Sequence, residues 1–194
     1  MAVSVAPRPG SPRRTPVASN AVVGMAIFIA AEVMFFAALA AAFTITRISA
    51  GGTWPPPGQP RLPVEATAAN TAVLLASGIA MVIAGRRSAV HAARSTSALG
   101  LALALGAAFV ALQGYEWVGL LREGLTMRSG PHGSFFYLIV GAHALHAVAG
   151  IIALAVAFAR ARSGRLAQTY LAGARLYWCF VVLLWPALYW RVYL

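Results

Sequence analysis

Four side chains that can gain or lose a proton lie within long apolar stretches of this sequence. Glu32 and Glu116 are carboxyl groups, and His143 and His146 are two imidazoles on one stretch. An ionisable group at the centre of a bilayer costs ~2.5–3.5 kcal/mol on insertion scales, so such groups generally face protein or water and mark functional sites. Imidazole and a desolvated carboxyl group can both titrate near neutral pH. These residues form a candidate proton-handling set, and the alternative for each is a neutral, hydrogen-bonded group inside a helical bundle.

The same side chains are poorly suited to holding a metal or a haem. A di-metal carboxylate bundle uses Glu-x-x-His motifs on two helices, and neither Glu32 nor Glu116 has a histidine three residues on. Two histidines at i and i+3 project from one side of a helix, whereas two haem ligands must face each other across the ring. The single cysteine, Cys179, leaves no disulfide framework or thiolate cluster. We therefore predict no metal ligand in this chain.

The composition is that of an integral membrane protein. Of the 194 residues, 60% are hydrophobic, and the mean hydropathy is +0.77. The net charge is +11, and all 15 basic residues are arginines. These arginines stand at the ends of apolar segments, where they anchor helices and set their orientation. We therefore expect membrane lipids as partners and no nucleic acid.

Five apolar segments are long enough to cross a bilayer as helices, which takes about 20 residues. They cover residues 21–46 and, approximately, residues 67–85, 96–121, 133–159 and 171–190. The sequence thus predicts an all-α bundle of five transmembrane helices over residues 21–194. Residues 1–20 are rich in proline and arginine and lack apolar periodicity, which predicts a disordered tail.

Spacing along the second and third segments predicts which faces pack. Small residues recur every four positions on the second segment and predict a ribbon that lets another helix approach closely. They are Ala68, Ala72, Ala76, Ala80 and Ala84. Asn70 and Ser77 lie on a neighbouring stripe, and Gln113 and Glu116 share a face of the third segment. The Gly/Pro-rich connector at residues 51–65 cannot be helical and is expected to lie outside the membrane core.

The distribution of arginines predicts the orientation in the membrane. Residues 1–20 and the loops at 86–94 and 160–175 carry ten arginines, and the opposite side carries five. The positive-inside rule then places the N-terminus in the cytoplasm and the C-terminus outside. In that orientation Glu32, His143 and His146 all fall near mid-membrane, and Glu116 lies nearer the outer end of its helix. Equal depth permits contact between these side chains but does not establish it.

Short strings on the five segments resemble, in chain order, subunit III of the haem-copper (cytochrome c) oxidases. They are Glu32-Val33-Met34-Phe35-Phe36; Asn70-Thr71 and Leu74-Leu75-Ala76-Ser77-Gly78; Gly106 to Phe109, Gln113 and Glu116-Trp117; His132-Gly133-Ser134-Phe135-Phe136, Gly141, His143 and His146; and Tyr177-Trp178, Phe180-Val181 and Trp185. Each string alone is weak, but five in order, each on its own predicted helix, are a specific signal. The length is that of the family's short, five-helix form.

The resemblance implies a non-catalytic subunit of a respiratory complex in a bacterial cytoplasmic membrane. Such a subunit packs beside catalytic subunit I, which transfers electrons to oxygen and pumps protons, and it supports proton uptake and the stability of the complex. Haem and copper are then expected in the partner subunit, no cofactor is expected on this chain, and phospholipid is expected between its helices. Proton-related roles fall to Glu32, Glu116, His143 and His146. Lipid-binding or helix-packing roles fall to Phe35, Phe36, Asn70, Ser77, Gln113, Trp117, Tyr177 and Trp178.

Three positions on the last segment depart from the family pattern or from helical regularity. Cys179 stands where the family usually has His, and Val182 stands where it usually has Asp, so polar contacts expected there are lost. Pro186 is expected to interrupt this helix. These departures keep open a subunit III-like accessory protein of a nitric oxide reductase. A freestanding proton-coupled transporter, which the lack of an internal repeat disfavours, and a purely structural lipid-holding scaffold are further alternatives.

Overall fold

Five α-helices make up the part of the chain that the computed structural model describes, residues 20–88 and 92–194. They are α1 (Asn20–Ser49), α2 (Val64–Arg87), α3 (Ala92–Arg122), α4 (Pro131–Arg162) and α5 (Gln168–Tyr193). No strand occurs in those two ranges, and all five helices are long and apolar enough to cross a membrane. The all-α fold class with five membrane-spanning helices is therefore confirmed. Of the expected disordered tail, residues 1–19 lie outside the described residues.

The connector between α1 and α2 is non-helical, as its prolines predict. Helix α1 ends at Ser49 and α2 begins at Val64. Gly51 and Gly58 take positive φ angles of 62° and 83°, which a side chain rarely adopts, so the chain can turn back over the bundle end. The Trp54 ring then packs edge-on against Phe43 of α1, with ring centroids 5.7 Å apart.

Helix α5 lies at the centre of the bundle. It packs against α1, α2 and α4, while α3 packs against α2 and α4. Helix α1 contacts α4 and α5 alone among the five helices, and its buried residues are Phe36 and Phe43. The Arg191 guanidinium donates to Thr44 Oγ1, which joins the C-terminal ends of α1 and α5. These two helices therefore run parallel, and α1 is the most peripheral of the five.

Trp178 of α5 is the central packing residue, because it contacts α2, α3 and α4. Its Nε1–H donates to Ser77 Oγ on α2 at 3.0 Å, and that hydroxyl donates to the Ala102 carbonyl of α3 at 2.7 Å. The indole also lies against Gly106 of α3 and Gly150 of α4. A Cβ atom would come within 2.7 Å of the indole at Gly106 and within 2.5 Å at Gly150. Both glycines are therefore required for close approach of a large ring.

The alanine ribbon on α2 is only partly a packing face, so this prediction was wrong for half of the helix. Ala80 and Ala84 are buried, but Ala68, Ala72 and Ala76 are exposed. The neighbouring stripe through Asn70, Leu74 and Ser77 faces the bundle instead, since its polar groups find partners on α3. In the apolar interior of a membrane, hydrogen bonds to α3 determine how α2 is rotated about its own axis. The small size of the alanines alone does not determine it.

Pro186 does not interrupt α5. The helix continues through it to Tyr193. Proline removes one backbone hydrogen bond, but transmembrane helices tolerate this where neighbouring groups fix the chain on both sides. On the N-terminal side, the Trp185 indole donates to Thr71 Oγ1 at 2.9 Å. On the C-terminal side, the Tyr189 hydroxyl donates to the Val64 carbonyl at 3.0 Å. These two bonds to α2 fix the helix on both sides of the proline.

Candidate functional site

Glu32 and His146 form a hydrogen-bonded pair near the middle of α1 and α4. The distance from His146 Nε2 to Glu32 Oε2 is 3.1 Å, and the two side chains are 14% and 20% exposed, respectively. Within the described residues no other acidic and basic side chains lie within 4.0 Å of each other. The contact joins α1 to α4. Without it, the peripheral helix α1 would be held against α4 mainly by aromatic packing.

The hydrogen bonds of His146 fix how many protons this pair holds. A carbonyl oxygen only accepts, so Nδ1 must donate to the Ala142 carbonyl, 2.7 Å away. An unprotonated Nε2 and a carboxylate oxygen are both acceptors, so the contact between Nε2 and Glu32 also needs a proton. That proton lies on Glu32 in a neutral pair or on His146 in an ion pair, and the net charge is zero in either case. Removing it would leave one unbalanced negative charge in a low-dielectric medium, which is costly.

Aromatic rings from two helices surround the imidazole of His146. The Phe36 ring packs edge-on at 5.3 Å between centroids, and the Phe180 ring packs edge-on at 6.4 Å. The Tyr177 hydroxyl donates to the His146 backbone carbonyl at 3.1 Å, which fixes α5 against α4 at this level. The pair therefore faces protein on the bundle side, and its remaining exposed surface lies at the outside of the chain beside α1.

His143 lies apart from Glu32, contrary to the expectation that both histidines project the same way. It is 1% exposed and its ring lies 4.8 Å from that of Trp185, on the side of α3 and α5. Three residues of helix leave an offset of about 60°, enough to turn the two rings toward different neighbours. Neither ring nitrogen of His143 has a hydrogen-bond partner in the described residues, nor has Trp117 Nε1. Both residues line a cavity of about 100 Å³, a volume that about three waters would fill.

Glu116 belongs to a third polar cluster, between α2, α3 and α5. Its Oε2 accepts hydrogen bonds from Thr67 Oγ1 at 2.7 Å and from Gln113 Nε2 at 3.0 Å. Gln113 Nε2 also lies 3.3 Å from the Tyr193 hydroxyl, and Asn70 Nδ2 donates to Gln113 Oε1 at 3.4 Å. The predicted shared face of Gln113 and Glu116 is thus observed, and the cluster ties the last turns of α3 and α5 to the start of α2.

Two members of the Glu116 cluster were missed from sequence. Thr67 marks only the approximate start of the second apolar segment, although Thr67, Asn70 and Thr71 fall at helical spacing on one face. This spacing is a signal that could have identified Thr67. Tyr193 lies in an aromatic-rich helix end, where the sequence does not indicate which ring turns inward.

The residues expected to bind lipid or to pack helices fall into two groups. Phe36, Asn70, Ser77, Gln113, Tyr177 and Trp178 are buried, Trp117 is half-buried, and Phe35 is 44% exposed. The buried ones contact neighbouring helices, whereas Phe35 faces outward from α1. Val182, at a position where Asp was expected, packs against Gly78, where a Cβ atom would lie 2.8 Å from its Cγ1. An apolar side chain here thus serves close packing between α2 and α5.

The fold and these sites define a helical membrane protein whose polar side chains lie in separate clusters between helices. No group of three His, Cys, Asp or Glu side chains in the described residues is arranged to hold a metal ion. The chain belongs to the cytochrome c oxidase subunit III family, whose model matches residues 11–194. The resemblance seen in the five short strings is therefore confirmed over nearly the whole chain.

Individual relatives carry the same family name. A protein of Nocardia farcinica, named probable cytochrome c oxidase subunit 3, is 34% identical over 180 residues, covering 88% of this chain and 86% of the relative. A Mycobacterium leprae protein of the same name is 34% identical over 177 residues, with the same coverage. Cytochrome c oxidase subunit 3 of Lemur catta is 36% identical over 180 residues, covering 88% of this chain and 64% of the lemur protein. The chain thus spans most of the length of the two bacterial proteins.

Proposed function

We propose that this chain is the non-catalytic subunit III of a respiratory haem-copper oxidase, packed beside catalytic subunit I. In this role it supports proton uptake by the complex and its stability during turnover. Haem and copper belong to the partner subunit. The observation that carries the proposal is the 3.1 Å contact between Glu32 and His146 in a chain of this family. A group that holds one exchangeable proton at mid-membrane suits a subunit that serves proton movement without its own redox centre.

The position of the pair within the bundle supports this role. Helix α1 contacts α4 and α5 but leaves most of its surface uncovered. Glu32 keeps 20% of its side chain exposed there, so a neighbouring subunit can reach it without rearrangement of this chain. The proton held between Glu32 and His146 can then pass to or from a group on that neighbour, while Phe36 and Phe180 exclude water from the bundle side.

The family places the protein in a membrane, and we propose the cytoplasmic membrane of a bacterium with the N-terminus inside. Two of the relatives named above are bacterial. The orientation follows the excess of arginines on the side of the N-terminus. Phospholipid fills the outward grooves between helices, including the surface around the exposed Phe35.

The first test is the purification of the complex that contains this chain. An oxidase subunit co-purifies with a haem-bearing partner, and a spectrum of a-type haem with copper identifies an oxidase that uses cytochrome c. A freestanding transporter would instead be isolated alone and move protons in vesicles without any partner. Recovery of the chain with nitric oxide reductase subunits would replace the oxidase with the accessory-protein alternative, which the names of the relatives do not favour.

The role of Glu32 is tested in the intact complex with Glu32→Gln. The amide can donate to the unprotonated Nε2 of His146 across the same distance, so the helices stay joined but the exchangeable proton is gone. We expect slower proton uptake or faster loss of activity during turnover. Glu65→Gln is the matched control, because Glu65 is an exposed carboxyl group in the first turn of α2. If Glu32→Gln behaves as the wild type in both measurements, the chain is a structural scaffold at this position.

A further inference from the structure

A cavity at the C-terminal ends of α1 and α5 contains groups that no part of the proposed function uses. It has a volume of about 170 Å³ and lies between the connector after α1, the start of α4 and the end of α5. Arg47, Arg61, Trp54 and His132 are among its lining residues. None of its lining side chains is acidic; the lining also includes Leu194, whose α-carboxylate makes no ion pair within 4.0 Å among the described residues. We call it the end cavity, and its lining is suited to an anion.

His132 is the strongest sign that the end cavity holds a ligand. The side chain is 2% exposed, and neither of its ring nitrogens has a hydrogen-bond partner within the described residues. Buried polar groups are nearly always hydrogen-bonded, because leaving one unpaired is costly. Trp54 packs edge-on against this ring, with centroids 5.4 Å apart, and its buried Nε1–H is unpartnered as well. Two buried donors at one cavity call for an acceptor inside it. His132 also belongs to the first turn of α4, the positive end of a helix.

Arginines supply the matching charge. Neither Arg47 nor Arg61 makes an ion pair or a side-chain hydrogen bond with any described residue. An open groove of about 670 Å³ adjoins the end cavity, shares Arg47 and Trp54 with it, and carries Arg191. Guanidinium groups recognise phosphate and carboxylate oxygens with charge-assisted hydrogen bonds. The groove adds Ile48 and Trp190 to its wall, so apolar surface lies next to the positive charge.

We propose that the end cavity is a binding site for a phosphate group, carried by an anionic phospholipid or present as the free ion. The cavity is several times larger than the ~30 Å³ that one water occupies, so a phosphate with bridging water fits. A peptide segment of a partner protein does not fit in this volume. The adjoining groove would take the glycerol and the upper acyl chains of a lipid. This site is independent of the proposed proton role of Glu32, which lies in the middle of α1.

The test measures ligand binding by native mass spectrometry of the full-length chain, released from delipidating detergent. The probes are dioleoylphosphatidylglycerol, inorganic phosphate and dioleoylglycerol, which has the same acyl chains but no phosphate. The variants are Arg47→Gln, Arg61→Gln and His132→Phe, the last of which keeps an aromatic ring against Trp54 without ring nitrogens. Arg128→Gln is the matched control, since Arg128 is an exposed arginine that lines neither cavity.

We expect each arginine variant to weaken phosphatidylglycerol binding about tenfold, the effect of losing one charge-assisted hydrogen bond. His132→Phe should weaken it several-fold, and Arg128→Gln should bind as the wild type does.

Lipid binding that inorganic phosphate does not displace identifies the lipid as the ligand, and phosphate binding without lipid binding identifies the free ion. Unchanged affinity for both phosphate probes in Arg47→Gln and Arg61→Gln overturns the proposal. So does a parallel loss of dioleoylglycerol binding, because the site would then recognise acyl chains. Arg61 is exposed, so Arg61→Gln should fold and test the proposal even if His132→Phe fails to fold.

Discussion

Substituting alanine for Gly150 tests how closely α4 and α5 must approach. The added Cβ atom would lie 2.5 Å from Trp178 Cε3, 2.7 Å from Cζ3 and 3.4 Å from Tyr177 Cε1. Real Cβ atoms essentially never come within 3.0 Å of another heavy atom, and the obstacle is a rigid indole that Ser77 and Gly106 hold from the other side. Overpacking of this kind costs about 1–3 kcal/mol. Because Tyr177 bonds the His146 carbonyl, the displacement also loosens the helix that carries the proton-holding pair.

The measurement is thermal and denaturant-induced unfolding of the purified protein, with Gly141→Ala as the matched control on the same helix. At Gly141 the nearest atom to an added Cβ is Trp117 Cη2 at 3.8 Å, an ordinary contact. Both substitutions gain the same helix propensity, ~0.5–1 kcal/mol, so their difference isolates the overpacking cost. We expect Gly150→Ala to be less stable than Gly141→Ala by about 1–3 kcal/mol. Equal stability of the two variants would show that the close approach of the Trp178 ring does not require glycine at position 150.

Two further substitutions test the polar clusters. His146→Phe should lower the free energy of unfolding by about 1–3 kcal/mol, because it leaves Glu32 without a partner. Adding Glu32→Leu should restore most of that loss. A double variant that is no more stable than His146→Phe alone would contradict the pairing. Thr67→Val should cost about 1 kcal/mol by removing a donor to Glu116, measured by the same unfolding assay, whereas Thr46→Val, whose hydroxyl bonds only its own helix, should be nearly neutral.

The helices were predictable because apolar length alone determines which segments cross a membrane. All five were identified from sequence, and each extends a few residues beyond the apolar run, since the flanking polar and arginine residues continue the helix into the interface. Rotation about the helix axis was harder to predict. The alanines of α2 recur every four residues and the polar stripe beside them recurs every three or four, so both have helical spacing. The choice between them depends on partners on α3 that the α2 sequence does not contain.

The candidate site was predicted as a set of residues but not as an arrangement. The sequence placed Glu32, His143 and His146 at one depth in the membrane. Residues on every helix share that depth, so depth alone does not show which of them are in contact. Only the packing of α4 against both α1 and α5 decides that His146 meets Glu32 while His143 meets Trp185. The chemistry of the residues therefore indicated the candidates, and long-range packing determined which pair forms.

The separation of the polar clusters restricts how this chain can serve proton movement. No hydrogen bond within the described residues connects Glu116, His143 and the Glu32–His146 pair, and the rings of Phe36, Phe109, Phe180 and Trp185 lie around the two histidines. A proton cannot step from Glu116 or His143 to the Glu32–His146 pair through these apolar rings, because each step would create an unpaired charge at low dielectric. Exchange at Glu32 must therefore pass through its exposed side, beside α1. A proton role for this acid thus requires a polar group on a neighbouring subunit, and Glu32→Gln should have its effect in the assembled complex and none on the isolated chain.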